Sequence, residues 1–323
     1  MSLLEVENLR VSLPAGSGYV TVVDGVDFTV EEGQVFGLAG ESGSGKTMSA
    51  LAVIGLLPRR SKVEGRIVYN GRDLAGLNEH NMRSIRGREI AMIFQDPMTS
   101  LHPMLTVGKM LTEHLRHHHK LTRQQARQRA IELLGEVRIP DPERSLHAYP
   151  HQFSGGMRQR IAIATALICG PRLVIADEPT TALDVTVQAG VVNLLDNLRQ
   201  ENGLSVLLIT HDLGVMSSMA DVVSVMYAGR IIESGKTRAM LKAPRHPYTE
   251  GLLGALPHPE DPGERPLLPI PGSPPQAGSP PAGCRFHPRC RYCTDDCKEQ
   301  APPLISVDGR RLACVVDPLA VQA

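Results

Sequence analysis

Val35-Phe36-Gly37-Leu38-Ala39-Gly40-Glu41-Ser42-Gly43-Ser44-Gly45-Lys46-Thr47 runs an apolar stretch into a glycine-rich turn, and a helical pattern from Lys46 to Leu57 follows it. The run Val35–Ala39 suits a strand buried on both faces of a mostly parallel sheet. From Gly40 onward the residues fit G-x-x-x-x-G-K-[ST], in the strand–loop–helix context that turns this pattern into a phosphate cradle. Gly40, Gly43 and Gly45, with Ser42 and Ser44 between them, let backbone N–H groups turn inward around phosphate oxygens. The positive end of the following helix adds to that field. In such a cradle Lys46 reaches the β- and γ-phosphates and Thr47 gives its hydroxyl oxygen to Mg²⁺. The competing reading, a glycine-rich turn with a chance lysine, does not explain the context.

Outward from this stretch the chain alternates strand and helix. Short β-segments are expected at Leu4–Leu13 and Val20–Val30 before it, and at Arg66–Tyr69, Ile90–Phe94, Leu173–Ala176, Val206–Thr210 and Val222–Tyr227 after it. Between Val185 and Gln200 the apolar residues Val187, Val191, Leu194, Leu195 and Leu198 mark one helix face. The alternation predicts an α/β domain with parallel pairing. Pro103 to about Ala148 breaks it with helical spacing alone and reads as a helical insertion. Leu173-Val174-Ile175-Ala176-Asp177-Glu178 reads as a buried strand ending in two carboxylates. Asp177 suits a contact to Mg²⁺, and Glu178 suits polarising the water that attacks a γ-phosphate. An ordinary strand-end turn is the competing explanation of the pair, and the phosphate loop weighs against it. After about Ala255 prolines recur through Pro257–Pro288, which fits an extended appended module beginning near residue 256.

Composition removes several function classes. Lys+Arg and Asp+Glu both number 34 in 323 residues, and neither a basic excess nor a basic stripe marks a nucleic-acid binder. Trp is absent and aromatics are 3%, which argues against a base-stacking platform. The longest apolar stretches, Ser49 to Pro58 and Ile161 to Gly170, fall short of the roughly 20 residues of a membrane-spanning helix. The opening MSLLEVENLR lacks the basic-then-apolar order of a signal peptide, so a cytosolic location is expected. Disulfides are rare there, which turns attention to Cys284, Cys290, Cys293 and Cys297, with Cys314 beyond. Thiols crowded in this way usually bind metal. Cys169 reads as a buried apolar residue, His117-His118-His119 as a solvated helix face, and Arg83, Arg86 and Arg88 as surface charge.

Phe153-Ser154-Gly155-Gly156-Met157-Arg158-Gln159-Arg160 resembles the signature motif of ABC ATPases, and that family's other motifs stand in order around it. Gln95 in IFQDP resembles the glutamine loop, Thr181-Ala182-Leu183-Asp184 the loop that crosses the dimer interface, and His211 the switch histidine. The resemblance implies a P-loop NTPase ABC cassette over residues 1–255, with a RecA-like core, an N-terminal antiparallel β part and a helical subdomain at about 97–157. It implies ATP and Mg²⁺ as ligands, with Thr47, Gln95 and Asp177 on the metal. Glu178, His211 and Gln95 act on the water and the γ-phosphate. By the same resemblance Ser154, Gly155 and Gly156 serve the nucleotide of a second ATPase in a head-to-tail pair, and Asp184 belongs to the nucleotide-site residues on the loop that crosses the interface. Tyr19 is the candidate for stacking on adenine, with packing or loop placement as its alternatives. The resemblance makes each site composite, so an isolated monomer is expected to hydrolyse ATP poorly.

Finer wording resembles the ATPases of oligopeptide and dipeptide importers: IFQDPMTSLHP at 93–103, YPHQFSGGMRQR at 149–160, HPYTEGLL at 246–253 and GCRFHPRC at 283–290. Met98–Leu101 looks like the D-type subunit, which implies a non-identical F-type ATPase partner. Two transmembrane permease subunits, an extracytoplasmic peptide-binding protein and a peripheral place on the cytoplasmic face of a bacterial membrane follow from the same resemblance. Nickel and some sugar importers share the architecture, and a soluble ABC ATPase is the rival class. For residues 256–323 the resemblance implies a [4Fe–4S] cluster on Cys284, Cys290, Cys297 and Cys314. Cys293 is an alternative ligand, and zinc or unmetallated thiols are alternative states.

Overall fold

The computed structural model describes residues 1–181, 184–255 and 269–316. Its strands are β1 (Ser2–Ala15), β2 (Gly18–Glu31), β3 (Val35–Ala39), β4 (Lys62–Tyr69), β5 (Arg72–Asp73), β6 (Ile90–Ile93), β7 (Leu173–Asp177), β8 (Ser205–Thr210), β9 (Val222–Tyr227), β10 (Arg230–Lys236), β11 (Ile305–Val307) and β12 (Arg310–Leu312). The described residues form two compact units. One holds Met1, Val30–Gln34 and Gly76–Ile209; the other holds Ser2–Thr29, Val35–Ala75 and the described residues from Thr210 onward.

In the second unit, β2, β1, β4 and β5 lie side by side in one sheet. β1 pairs antiparallel with β4, and its register shifts between Glu7 and Arg10. Asn8 there has φ 46°, and the extra residue changes which side chains face inward, from Leu4 and Val6 to Leu9 and Val11. A strict alternation over Leu4–Leu13 therefore does not exist, yet both halves are buried. β3 pairs parallel with β9, placing Leu38 against Ser224. All five residues of β3 are buried, as its apolar run demands.

β10 was not anticipated, because Glu233 stands in its centre and is wholly enclosed. Its carboxylate accepts the backbone N–H groups of Arg245 and His246, both at 3.0 Å, so the buried acid is satisfied. β10 pairs with β9 on one side and with β12 on the other, where Glu233 faces Leu312. The hairpin of β11 and β12 thus adds residues 305–312 to this unit's sheet. Residues 256–268, where the module boundary was expected, lie outside the described residues.

In the first unit β6 pairs parallel with β7 and β7 with β8. Helices Val107–His119, Arg123–Glu136 and Pro142–Ser145 fill the expected insertion. Val107, Met110, Leu111 and Leu115 are buried on one, and Ala126, Ala130, Leu133 and Leu134 on the next. Thr122 and Gln125 close a capping box that starts the second helix. Helix Lys46–Val53, in the other unit, stops short of the expected Leu57. Gly55 turns left-handed at φ 63° there, and Leu56 N–H returns to Leu51 O at 2.8 Å. Among the described residues no helix is long and apolar enough to cross a membrane.

Candidate functional site

The phosphate loop is held by its own lysine. Lys46 Nζ donates to Gly40 O at 2.7 Å and to Glu41 O at 3.0 Å, and lies 3.5 Å from Ser44 Oγ. The ammonium is thereby drawn over the loop it would serve. Gly40 has φ 145°, and a Cβ there would sit 2.2 Å from Met226 O. Gly45, at φ 105°, begins the helix and would set a Cβ 2.8 Å from Val22 O. Both positions exclude a side chain on two grounds, handedness and contact. Having no side chain, Gly45 cannot cap the first-turn amides, and no acidic residue sits in that turn. Such a helix start presents N–H groups to an anion. Ser42 and Gly43 are exposed at the crest, and Ser44 and Lys46 are buried.

Sequence reasoning missed what lies behind the loop. Glu41 N–H donates to Tyr248 Oη at 2.8 Å, and the Glu41 carboxylate takes a two-pronged pair from Arg289 at 2.7 and 3.0 Å. Tyr248 is fully buried against Tyr227 and Phe286, with ring centroids 4.6 and 5.3 Å away. Burial raises the Tyr248 hydroxyl above its ordinary range, and the Glu41 hydrogen bond raises the Arg289 guanidinium. No periodicity links positions 248 residues apart; the conspicuous HPRC wording at 287–290 was the available signal.

In the other unit, β7 ends at buried Asp177 and hands the chain to Glu178. Glu178 has φ 45°, a left-handed backbone that costs a branched-off side chain about 1 kcal/mol or more. Its N–H is tied to Ile209 O at 2.8 Å, which fixes the kink. Gln95 Nε2 donates to Glu178 Oε2 at 2.9 Å, and Thr181 Oγ1 lies 3.0 Å from the same oxygen. Gln95 and Glu178, predicted from separate motifs, are thus in contact.

Ser154 caps the helix Gly155–Leu167 and accepts from Met157 N–H at 3.4 Å. Ser154 and Gly155 are exposed, so the start of this helix is open to a phosphate from outside the chain. Asp184 is the cap of the helix Val185–Asn202, accepting from Val187 N–H at 2.9 Å. Ala182 and Leu183 of the same motif lie outside the described residues. His211 is exposed just past β8, followed by Asp212, whose carboxylate accepts from Gly214 and Val215 N–H at 2.7 and 3.2 Å. Tyr19 is about half exposed, and Lys62 Nζ sits 4.0 Å from its ring centroid.

Burial pushes the Cys290 thiol up to about 11 and Cys314 up to about 12, and raises Cys284 as well. Charge on Cys284, Cys290 and Cys297 adds a smaller rise at Cys314, and Cys293 does so at Cys284 and Cys290. Among the described residues, however, no group of three or more His, Cys, Asp or Glu is arranged to hold a metal ion. Cys169 is buried, as expected, and Glu79 pairs with Arg83 and Arg86 at 3.2 and 2.8 Å. His119 is exposed, and its Nε2 lies 3.1 Å from Cys169 O.

A phosphate loop behind a buried strand, a strand ending in paired carboxylates and a serine-capped glycine helix define a nucleotide-hydrolysing α/β protein. Residues 23–181 match the family described as ABC transporter, and residues 232–297 match the family described as oligopeptide/dipeptide transporter, C-terminal region. The dipeptide transport ATP-binding protein of Escherichia coli is 47% identical over 317 residues, covering 97% of this chain and 96% of its own. The oligopeptide transport ATP-binding protein of Salmonella typhimurium is 46% identical, with 97% and 93% covered. Among solved structures, a dimeric ATP-binding cassette in a post-hydrolysis state with ADP and Pi superposes with a TM-score of 0.65 at 27% identity, over 73% of this chain and 99% of that one. The chain belongs to the ABC transporter family, as an ABC-type ATPase carrying the oligopeptide/dipeptide C-terminal region.

Proposed function

We propose that this chain hydrolyses ATP to power the import of dipeptides or oligopeptides through two membrane permease subunits. The observation that carries the reading is likeness along the whole chain, 97% of it, to ATP-binding proteins of dipeptide and oligopeptide transport, including the C-terminal region. Its partners are a second ATPase, a non-identical F-type relative, and an extracytoplasmic peptide-binding protein. It sits peripherally on the cytoplasmic face of the cell membrane.

Lys46 and the loop amides bind the β- and γ-phosphates, Thr47 binds Mg²⁺, and half-exposed Tyr19 serves adenine. Asp177 is a second Mg²⁺ ligand, and Gln95 senses the ion and the water. Bound Mg²⁺ supplies charge neutralisation on the phosphates. Glu178, tied by Gln95 and Thr181, takes the proton of the attacking water, and His211 steadies the γ-phosphate. Ser154, Gly155 and Gly156 offer the start of their helix to the partner's nucleotide, and Asp184 fixes the loop between the two ATPases. ATP closes the pair, closure moves the permeases, and hydrolysis resets it.

Residues 1–255 act as the cassette, with the helical subdomain at about 97–157, and residues 256–323 as the importer-type module. For that module the reading retains a [4Fe–4S] cluster on Cys284, Cys290, Cys297 and Cys314, with Cys293 or zinc as the variants. The spacing of the thiols in the sequence supports it, but as placed they do not form a metal-holding group, and no step of hydrolysis is routed through them. Iron and acid-labile sulfide analysis on anaerobically purified chain decides it: about four of each per chain for the cluster. The function itself is tested in cells whose own copy is replaced by Lys46→Ala. Uptake of a labelled tripeptide should be lost with free amino-acid uptake intact. Retained tripeptide uptake removes the peptide-import reading.

A further inference from the structure

Glu41 is a negative side chain on a loop built to bind anions, and its surroundings deal with that charge from both ends. Its N–H is held by buried Tyr248, and its carbonyl accepts from Lys46 Nζ at 3.0 Å. Its carboxylate lies in the fork of Arg289, whose side chain is 6% exposed against 27% for Glu41. Arg289 is itself fixed: Nε donates to Pro271 O at 2.8 Å, and one terminal nitrogen lies 3.3 Å from Tyr227 Oη. The guanidinium carbon also sits 5.8 Å from the Tyr227 ring centroid and 5.9 Å from that of Phe286. Two parallel N–H bonds to one carboxylate need the planar fork of arginine. We infer that Arg289 is a positioning residue of the phosphate loop: it neutralises Glu41 and turns its carboxylate away, so that the cradle meets a polyphosphate without a competing charge. The segment bearing the cysteines is by this contact a structural part of the nucleotide site, although Arg289 touches no reacting atom.

The inference rests on the reading that the loop Gly40–Thr47 binds ATP, and the experiment separates the two. MgATP affinity is measured by titration calorimetry on the full chain. Arg289→Met leaves Glu41 charged and unpaired, and should weaken MgATP about tenfold, with the loss shrinking as salt rises. Adding Glu41→Gln to Arg289→Met removes the stranded charge and should recover most of the affinity, which a merely structural arginine would not allow. Arg289→Lys keeps the charge without the fork and should weaken binding about threefold, rescued by Glu41→Gln in the same way. It carries the test should Arg289→Met not fold. Wild-type affinity in the single variants, or no recovery in the double variants, overturns the inference. A wild-type chain that does not bind MgATP overturns the loop reading instead.

Discussion

His246 is the cap of the helix Pro247–Gly254 and is 1% exposed. Its Nδ1 accepts from Tyr248 N–H at 3.1 Å, while Nε2 is buried with no hydrogen-bond partner, and the ring rests 5.9 Å from Phe286. Burial drops its pKa to about 3 from the ordinary 6.5. A base depressed on folding contributes its full stability above 6.5 and loses it as pH falls from there toward 3, because the unfolded chain protonates first. Between pH 7 and pH 5 the loss works out to about 2 kcal/mol. His246→Asn keeps a cap acceptor at the same reach but has nothing to titrate in that window. At pH 7 it should be the less stable protein by about 2–4 kcal/mol, from the space the ring leaves. By pH 5 that gap should narrow by about 2 kcal/mol. Burial also raises the pKa of neighbouring Glu233, whose contribution is lost in the opposite direction, as pH rises. It is present in both proteins and cancels in the comparison. Hydrogen exchange of the backbone amides from Tyr248 to Gly254, read for both proteins at each pH, reports this local opening and cancels the intrinsic exchange rate. A gap that stays constant from pH 7 to pH 5 would refute a buried neutral histidine.

Gly45→Ala should abolish detectable MgATP binding, since a Cβ 2.8 Å from Val22 O at φ 105° forces the loop to shift; equilibrium dialysis checks it, and wild-type affinity would remove the steric reasoning. Asp212→Ala uncaps the helix Leu213–Met219 right after His211 and should cost about 1 kcal/mol. Its turnover at saturating ATP should fall more than its apparent affinity, read by comparing kcat with KM for ATP.

How much was legible depends on whether the cause is local. β3 and β9 were placed at their true ends, because a strand buried inside the sheet is written as a largely apolar run. The glycine-rich turn after β3 and the helix starting at Lys46 were legible because their signals are adjacent in sequence. β10 was not, because its central Glu233 is neutralised by N–H groups from residues 245 and 246 rather than by neighbours in the strand. Nor was the pairing of Glu41 with Arg289, which depends on tertiary contact across 248 positions. The contact of Gln95 with Glu178 falls between these cases: each residue was named from its own motif, and their meeting at 2.9 Å needed the fold. The left-handed backbone of Glu178 had no signal at all, because strain of this kind is imposed by the surrounding structure.

That strained carboxylate makes Glu178→Gln the most direct measurement. The variant keeps the size of the side chain and removes the charge that takes the water's proton. With its ATPase partner and Mg²⁺ present, it should bind ATP, hold it unhydrolysed and turn over about 100-fold more slowly or worse. Turnover at the wild-type rate would contradict hydrolysis by Glu178.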